Sequence, residues 1–299
     1  MKAKRANWEK LLLEALGIAI IIAVWELLAA YYARTYENGA YLLPSIRSVL
    51  TTSFLNLSAF YGMGGLGTGQ YGVDPSCLIS LKVIAYHTVR TLFRILCGFS
   101  LGVLLGVSGG LLYSANRIVR AFTAWPSKII SIIPQMALIT LFLAWFGDSE
   151  AGYILFIAFG VFVAVYINTL NAISNLPPIY YRYAMTLGAS RGRYYLNVVL
   201  PGIIPELTGC MKMIMGQAWA LSMASEFISS QNGLGRIIVL ARQRLDTGIV
   251  LIILFLYVIY TLITLQLVYR GSNYITRWMP KMESSGKPLA TKGSERRRA

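Results

Sequence analysis

Few groups in this chain could do chemistry, and most of them sit among apolar neighbours. Charged residues make up 13% of the 299 positions and hydrophobic ones 56%, so an ionisable side chain inside an apolar stretch is costly and marks a functional candidate by default. Glu26, Lys128, Lys212 and Glu226 are such groups. The two lysines lie near span ends, where an ammonium reaches the interface along its own aliphatic stem. Glu226 precedes Phe227-Ile228-Ser229-Ser230-Gln231-Asn232-Gly233-Leu234-Gly235, where helix gives way to glycine-punctuated chain. Its carboxylate can accept from freed backbone N–H groups or meet a transported solute.

The parts of a catalyst are missing. No paired carboxylates, nucleophile beside a base, or Walker sequence can be assembled. Cys77, Cys97 and Cys210 are scattered without disulfide or metal-ligand spacing, and His87 is the single histidine, read as interfacial or packed. The stretch Tyr61-Gly62-Met63-Gly64-Gly65-Leu66-Gly67-Thr68-Gly69 lacks the strand and lysine of a phosphate cradle and reads as an irregular loop. The expectation is therefore a chain that is not an enzyme and holds no metal or cofactor. Energy for an active process would come from another chain or from an ion gradient.

A second kind of chemistry is recognition. Tyr183-Ala184-Met185-Thr186-Leu187-Gly188-Ala189-Ser190, flanked by Arg182 and followed by Leu200-Pro201, forms a polar hairpin between two strongly apolar stretches. A polar interruption of this kind suits a surface gripped by a soluble partner.

The elements that must position these residues are membrane spans. Leu11 to Tyr31 is long enough to cross a hydrocarbon core of about 30 Å as a helix, and no small-residue cleavage site closes it as in a signal peptide. Further spans are predicted near Leu92 to Leu112, Ala121 to Phe146, Tyr153 to Ile173, Leu207 to Ser225 and Ile249 to Tyr269. The chain is thus predicted to be all-α and polytopic, with six transmembrane helices and both termini on one side. Lysines and arginines outside the spans favour the side of the termini and of the hairpin by seventeen to seven, which makes that side cytoplasmic. The formal charge of +15 is accounted for by these loops and tails. Without a basic stripe interleaved with aromatics, nucleic acid is not a partner.

Span two carries Gly98, Gly102, Gly106 and Gly110. Residues four apart share a helix face, so these glycines predict a groove for close packing of another helix. Span three contains Pro126 and Pro134, which bend or break a helix. Residues 1–10 read as a cytoplasmic segment and 11–270 as the membrane domain. That domain includes a hairpin over about 176–205 and an external Gly-rich loop over about 57–80. Residues 271–299 read as a basic cytoplasmic tail attracted to anionic lipid.

The hairpin resembles the cytoplasmic motif of ABC importer permeases, written E-A-A, three residues, G, nine residues, I-x-L-P. Arg182-Tyr183-Ala184, Gly188 and Val198-Val199-Leu200-Pro201 keep the spacing, with Arg182 and Tyr183 replacing the first Glu and Ala. Other stretches are similar to the nitrate, sulfonate, taurine and bicarbonate permeases. These are Leu43-Pro44-Ser45, Gly98-Phe99, Ile133-Pro134, Ala144-Trp145-Phe146-Gly147, Asn168-Thr169, Ala224-Ser225-Glu226 and Gly233-Leu234-Gly235. Coverage runs from about Leu42 to Arg277, with the Gly-rich insert longer than the family usually has.

The resemblance implies an ABC importer permease fold with a coupling helix from about Pro177 to Leu187. The implied partners are two cytoplasmic ABC ATPases, which bind the ATP and Mg, a second permease subunit in a homodimer, an extracytoplasmic solute-binding protein, and membrane lipid. The implied coupling residues are Arg182, Tyr183, Ala184, Leu187, Gly188, Ala189, Ser190, Leu200 and Pro201. The implied translocation-pathway residues are Pro134, Gln135, Trp145, Gln217 and Glu226. Permeases for vitamin precursors of the pyrimidine or riboflavin kind are an alternative within the class. A secondary transporter is the alternative outside it, although no internal repeat is visible.

Overall fold

The computed structural model describes residues 2–37, 39–60, 76–228 and 230–278. The Gly-rich sequence 61–75 and the tail from 279 lie outside the described residues, so the expectations placed on them are not addressed by the structure. Within the described residues the chain is helical and without strands.

Helix α1, Lys2–Thr35, carries the first apolar span over Leu12–Thr35. Only 6% of its apolar window is buried, so it stands at the periphery, as a helix facing lipid can. Two hydrogen bonds tie it to the chain that follows. Trp25 Nε1 donates to the Pro44 carbonyl at 3.0 Å, and Glu26 Oε1 accepts from the Ile46 N–H at 2.7 Å. Glu26 thus satisfies a free donor at the start of the Ile46–Ser48 helical turn. Leu57–Phe60, expected in the external loop, is a buried 3-10 turn.

Helix α2, Cys77–Ala115, has 39 residues and is longer than a bilayer core requires. The sequence placed the start of this span at Leu92. The helix in fact continues from Cys77 and takes in Lys82, His87 and Arg90, because nothing between Cys77 and Leu92 breaks it.

The third expected span is not one straight crossing. It consists of α3, Arg117–Ile132, and α4, Gln135–Phe146, bent by 107° at their junction. Pro134 lacks an N–H, and its ring disfavours the helical region at Ile133, which is extended at φ −63°, ψ 127°. Pro126, by contrast, is carried inside α3 without ending it. Among the described residues five helices are long and apolar enough to cross a membrane, and the bent pair makes six if it counts as one broken span.

Helix α5, Glu150–Asn175, is the central element, with 56% of its apolar window buried. A short helix α6, Ile179–Thr186, leads through Arg191–Tyr194 and a π turn at Tyr195–Val199 into α7, Leu200–Ile228. Helices α8, Leu234–Gln243, and α9, Thr247–Ile275, complete the chain that is described. Lys212, exposed on α7, rests its Nζ 3.9 Å from the ring centroid of the likewise exposed Tyr269, a cation–π contact on the outer face of the bundle.

The α2–α5 contact shows why the glycines are spaced by four. A Cβ on Gly98 would lie 2.7 Å from Ile157, and one on Gly102, Gly106 or Gly110 would lie 2.6 Å from Val161, Val165 or Thr169. The four partners are also four apart, so a ridge of β-branched side chains fills a groove of glycines. Around this seam the core joins α2, α5, α7, α8 and α9 through residues such as Ile95, Phe156, Ile214, Leu221, Ile237 and Ile253.

Candidate functional site

Two sites stand at opposite ends of the bundle. Helix α5 runs from Glu150 at one end to Asn175 at the other, and α7 runs back from Leu200 to Ile228.

At the Asn175 end, α6 is short because both its boundaries are written into the chain. Pro178 opens it, where a missing N–H costs nothing. Gly188 closes it at φ +75°. The Gly188 N–H donates to the Met185 carbonyl at 3.0 Å and the Ala189 N–H to the Ala184 carbonyl at 3.0 Å. These two bonds form the Schellman ending, which requires a left-handed residue and so favours glycine. The turn leaves Leu187 at the tip, 86% exposed, the most exposed large hydrophobic side chain among the described residues. Tyr183 and Arg182 are exposed beside it, while Ala184 faces inward at 8%.

The remaining hairpin residues divide by role. Ala189 and Ser190 make the return, with the Ser190 hydroxyl capping the turn that starts at Arg191. Leu200 and Pro201, half-buried, lie at the base in the first turn of α7, not at the tip. Beneath them Ala172, Val199, Ile203 and Leu207 form a second small core, and the Tyr195 hydroxyl donates to the Ser114 carbonyl at 2.7 Å. The knob is thus a rigid projection on a packed base.

At the other end lies an arrangement only part of which was visible in the sequence. Glu226 and Arg94 are both fully buried and are paired at 3.0 Å. Arg94 also grips Glu150 with two parallel bonds, Nε to Oε2 at 2.7 Å and Nη2 to Oε1 at 2.8 Å. Its remaining donors reach the Asn232 carbonyl at 3.0 Å and the Asn232 side-chain oxygen, so all five guanidinium N–H groups are used. The guanidinium lies 4.5 Å from the Tyr153 ring centroid.

Glu226 is equally satisfied. Its Oε1 accepts from Thr91 at 2.8 Å, and its Oε2 accepts from the Gly235 N–H at 2.8 Å and from the Tyr257 hydroxyl at 3.3 Å. Thr91 in turn accepts from the Leu234 N–H, and His87 Nδ1 accepts from the Gly233 N–H at 2.9 Å. Gly233 has φ +107°, and a Cβ there would fall 2.4 Å from the Glu226 carboxyl carbon. One cluster therefore ties α2, α5, α7, the turn before α8, and α9.

Arg94 and Glu150 were not singled out from sequence. The signal for Arg94 was present, since it lies two residues inside the expected second span and is an intramembrane charge by the same rule that picked Glu226. Glu150 gave no such signal, because it sits at a helix start where an acidic residue is ordinary.

The five candidate pathway residues do not form one site. Gln217 Nε2 donates to Gln135 Oε1 at 2.6 Å, joining the middle of α7 to the break that Pro134 makes. Trp145 is 65% exposed at the far end of α4, and Glu226 belongs to the buried cluster. Among the described residues no group of His, Cys, Asp or Glu could hold a metal ion.

The helical fold, with its long apolar helices and broken third span, is that of a multi-pass membrane protein. Residues 98–279 match the family described as binding-protein-dependent transport system inner membrane component, and the chain belongs to that family. A protein of Methanocaldococcus jannaschii described as an ABC transporter permease is 29% identical over 84% of this chain and 86% of its own length. One of Bacillus subtilis, named for aliphatic sulfonates transport, is 27% identical over 94% of this chain and 91% of its own. Other relatives are named for taurine, bicarbonate and nitrate transport. The fold also matches a structure of the MetNI methionine ABC transporter in an inward-facing conformation. There the TM-score is 0.55 at 15% identity, covering 69% of this chain and all of the other. The chain is an ABC importer permease.

Proposed function

We propose that this permease forms the translocation pathway for a small solute of the nitrate, sulfonate, taurine or bicarbonate class and is driven by ATPases docked at α6. The observation that carries this reading is the Schellman-capped knob with Leu187 at its tip, a projecting apolar side chain on a rigid base. Such a side chain suits a groove on a partner, where burying it is favourable. ATP and Mg belong to that partner, and this chain needs no cofactor of its own.

The excess of lysine and arginine on the side of the knob and termini supports a cytoplasmic placement for them. The Arg94–Glu226 end then faces outward, where a solute-binding protein delivers its cargo. A second copy of this chain completes the pathway, and closure of two ATPases moves the paired knobs as rigid bodies between two packings. Gln135 and Gln217, joined across the break, are the polar groups placed to meet solute in passage, and Pro134 sets their backbone. The test is co-expression with a cytoplasmic ABC ATPase, followed by co-purification and solute-stimulated hydrolysis. Leu187→Asp should abolish stimulation while the permease remains folded. Undiminished stimulation in that variant would remove the knob from the coupling path.

A further inference from the structure

Beside the knob, at the junction of α2, α3 and the hairpin, is a pocket of about 570 Å³ lined by Arg117, Arg120, Arg191, Tyr113, Tyr194 and Tyr195 among others. Its described lining holds three guanidiniums and no carboxylate. Arg120 is fixed there, with Nη2 donating to the Ser114 carbonyl at 2.7 Å, Nε donating to the Tyr113 carbonyl at 3.4 Å and the guanidinium 5.8 Å from the Tyr113 ring centroid. Helix α3 starts at Arg117, and although the Asn116 side chain caps its Ile118 and Val119 N–H groups, the positive end of the helix dipole lies at the same place. The neighbouring residues Leu112, Val119, Thr123, Pro126 and Tyr166 line a second cavity of about 240 Å³ on the adjoining faces of α2, α3 and α5. This slot is apolar apart from a few hydroxyls, and Leu112, Val119 and Thr123 directly adjoin Tyr113, Arg120 and Ala124 of the charged pocket in sequence.

We infer that this paired cavity is a binding site for a phosphate-bearing anion, and that its natural occupant is an anionic phospholipid with headgroup among the arginines and acyl chain in the apolar slot. A guanidinium cluster matches phosphate oxygens by geometry as well as charge. A soluble anion would use the arginines and leave the slot empty; an amphiphile uses both. A basic cavity between membrane helices is the form that recognition of anionic headgroups takes. The inference does not depend on the ATPase reading.

The experiment is native mass spectrometry of the full chain released from nanodiscs of mixed phosphatidylglycerol and phosphatidylcholine, with titration of inorganic phosphate as a second arm. The wild type should retain phosphatidylglycerol over phosphatidylcholine. Each Arg→Gln change should reduce that preference about fivefold, and the triple variant about a hundredfold. Because Arg120 also secures two carbonyls, the Arg117→Gln/Arg191→Gln double variant provides a reading that leaves Arg120 in place, with an expected loss of about thirtyfold. Filling the slot with Thr123→Phe should weaken lipid retention and leave any phosphate binding alone. If phosphate displaces the lipid and Thr123→Phe has no effect, the site is for a phosphate anion and the lipid assignment is overturned. Equal retention of both lipids by wild type and double variant, with no phosphate binding, overturns the site altogether. It is likewise overturned if the double variant loses a co-purifying ATPase while lipid preference is unchanged, since the arginines would then belong to that interface.

Discussion

The two ends of the bundle handle polarity in opposite ways. At the hairpin end, Arg182, Tyr183 and Leu187 are exposed, and the order comes from backbone bonds and a left-handed glycine. At the other end Arg94 and Glu226 are buried, and the order comes from side-chain charge. An exposed surface can be changed without unfolding the protein, so its residues are free to serve a partner. A buried ion pair has no such freedom, since removing one member strands the other away from water. The cluster therefore holds five elements in register, and the knob presents an exposed surface.

The sharpest way to break this comparison is at the buried end. Glu226→Ala leaves Arg94 short of one carboxylate in a dry site and should destabilise the protein by about 3–5 kcal/mol. Thermal unfolding in detergent measures it, and Arg94→Met should cost a similar amount. Pairing the two changes should recover a large part of the loss, because two neutral groups are less costly than one stranded charge. Strictly additive losses would mean that the pair does not act as a unit.

Two glycines sharpen the comparison at intermediate cost. Gly233 and Gly188 both have positive φ, at +107° and +75°, so alanine is strained at either. They differ in space. A Cβ at Gly233 meets the Glu226 carboxyl group, whereas at Gly188 nothing lies within 4 Å. Gly233→Ala should therefore lose about 2–4 kcal/mol, combining backbone strain with displacement of a buried carboxylate. Gly188→Ala should lose about 1–2 kcal/mol from strain alone. Equal melting shifts for the two would show that packing onto Glu226 contributes nothing.

What the sequence disclosed follows the same division. Local and periodic signals were legible: the spacing from Ala184 through Gly188 to Pro201, the four-residue glycine repeat of α2, and the lengths of the apolar runs. Residues that act by meeting something distant were not. Arg94 and Glu226 are 132 positions apart, and no local pattern says that they pair. The bend at Pro134 was half legible, because proline announces a break without fixing its angle. Pro126, with the same chemistry, stays inside α3, so a proline in the sequence does not by itself say where the helix ends. The extension of α2 back to Cys77 was missed because hydropathy marks where a helix enters lipid, not where it begins.

The smallest expected change in stability, and the most telling for coupling, is at Arg182. Its side chain is exposed on α6, one turn before Thr186, whose hydroxyl bonds to the Arg182 carbonyl and leaves the guanidinium free of that contact. Arg182→Glu should alter the melting temperature by no more than a surface substitution does, about 0.5 kcal/mol or less. If the ATPase groove faces this residue with an acidic side chain, the same change should slow stimulated hydrolysis about tenfold, and a reciprocal charge swap on the ATPase should restore it. Stability and coupling would then separate at one exposed residue, which no substitution in the Arg94–Glu226 cluster can achieve, because there every change in charge is also a change in the packing of α2, α5, α7 and α9. Unchanged stimulation in both single variants would show that Arg182 faces solvent or lipid and that the apolar tip at Leu187 carries the contact alone.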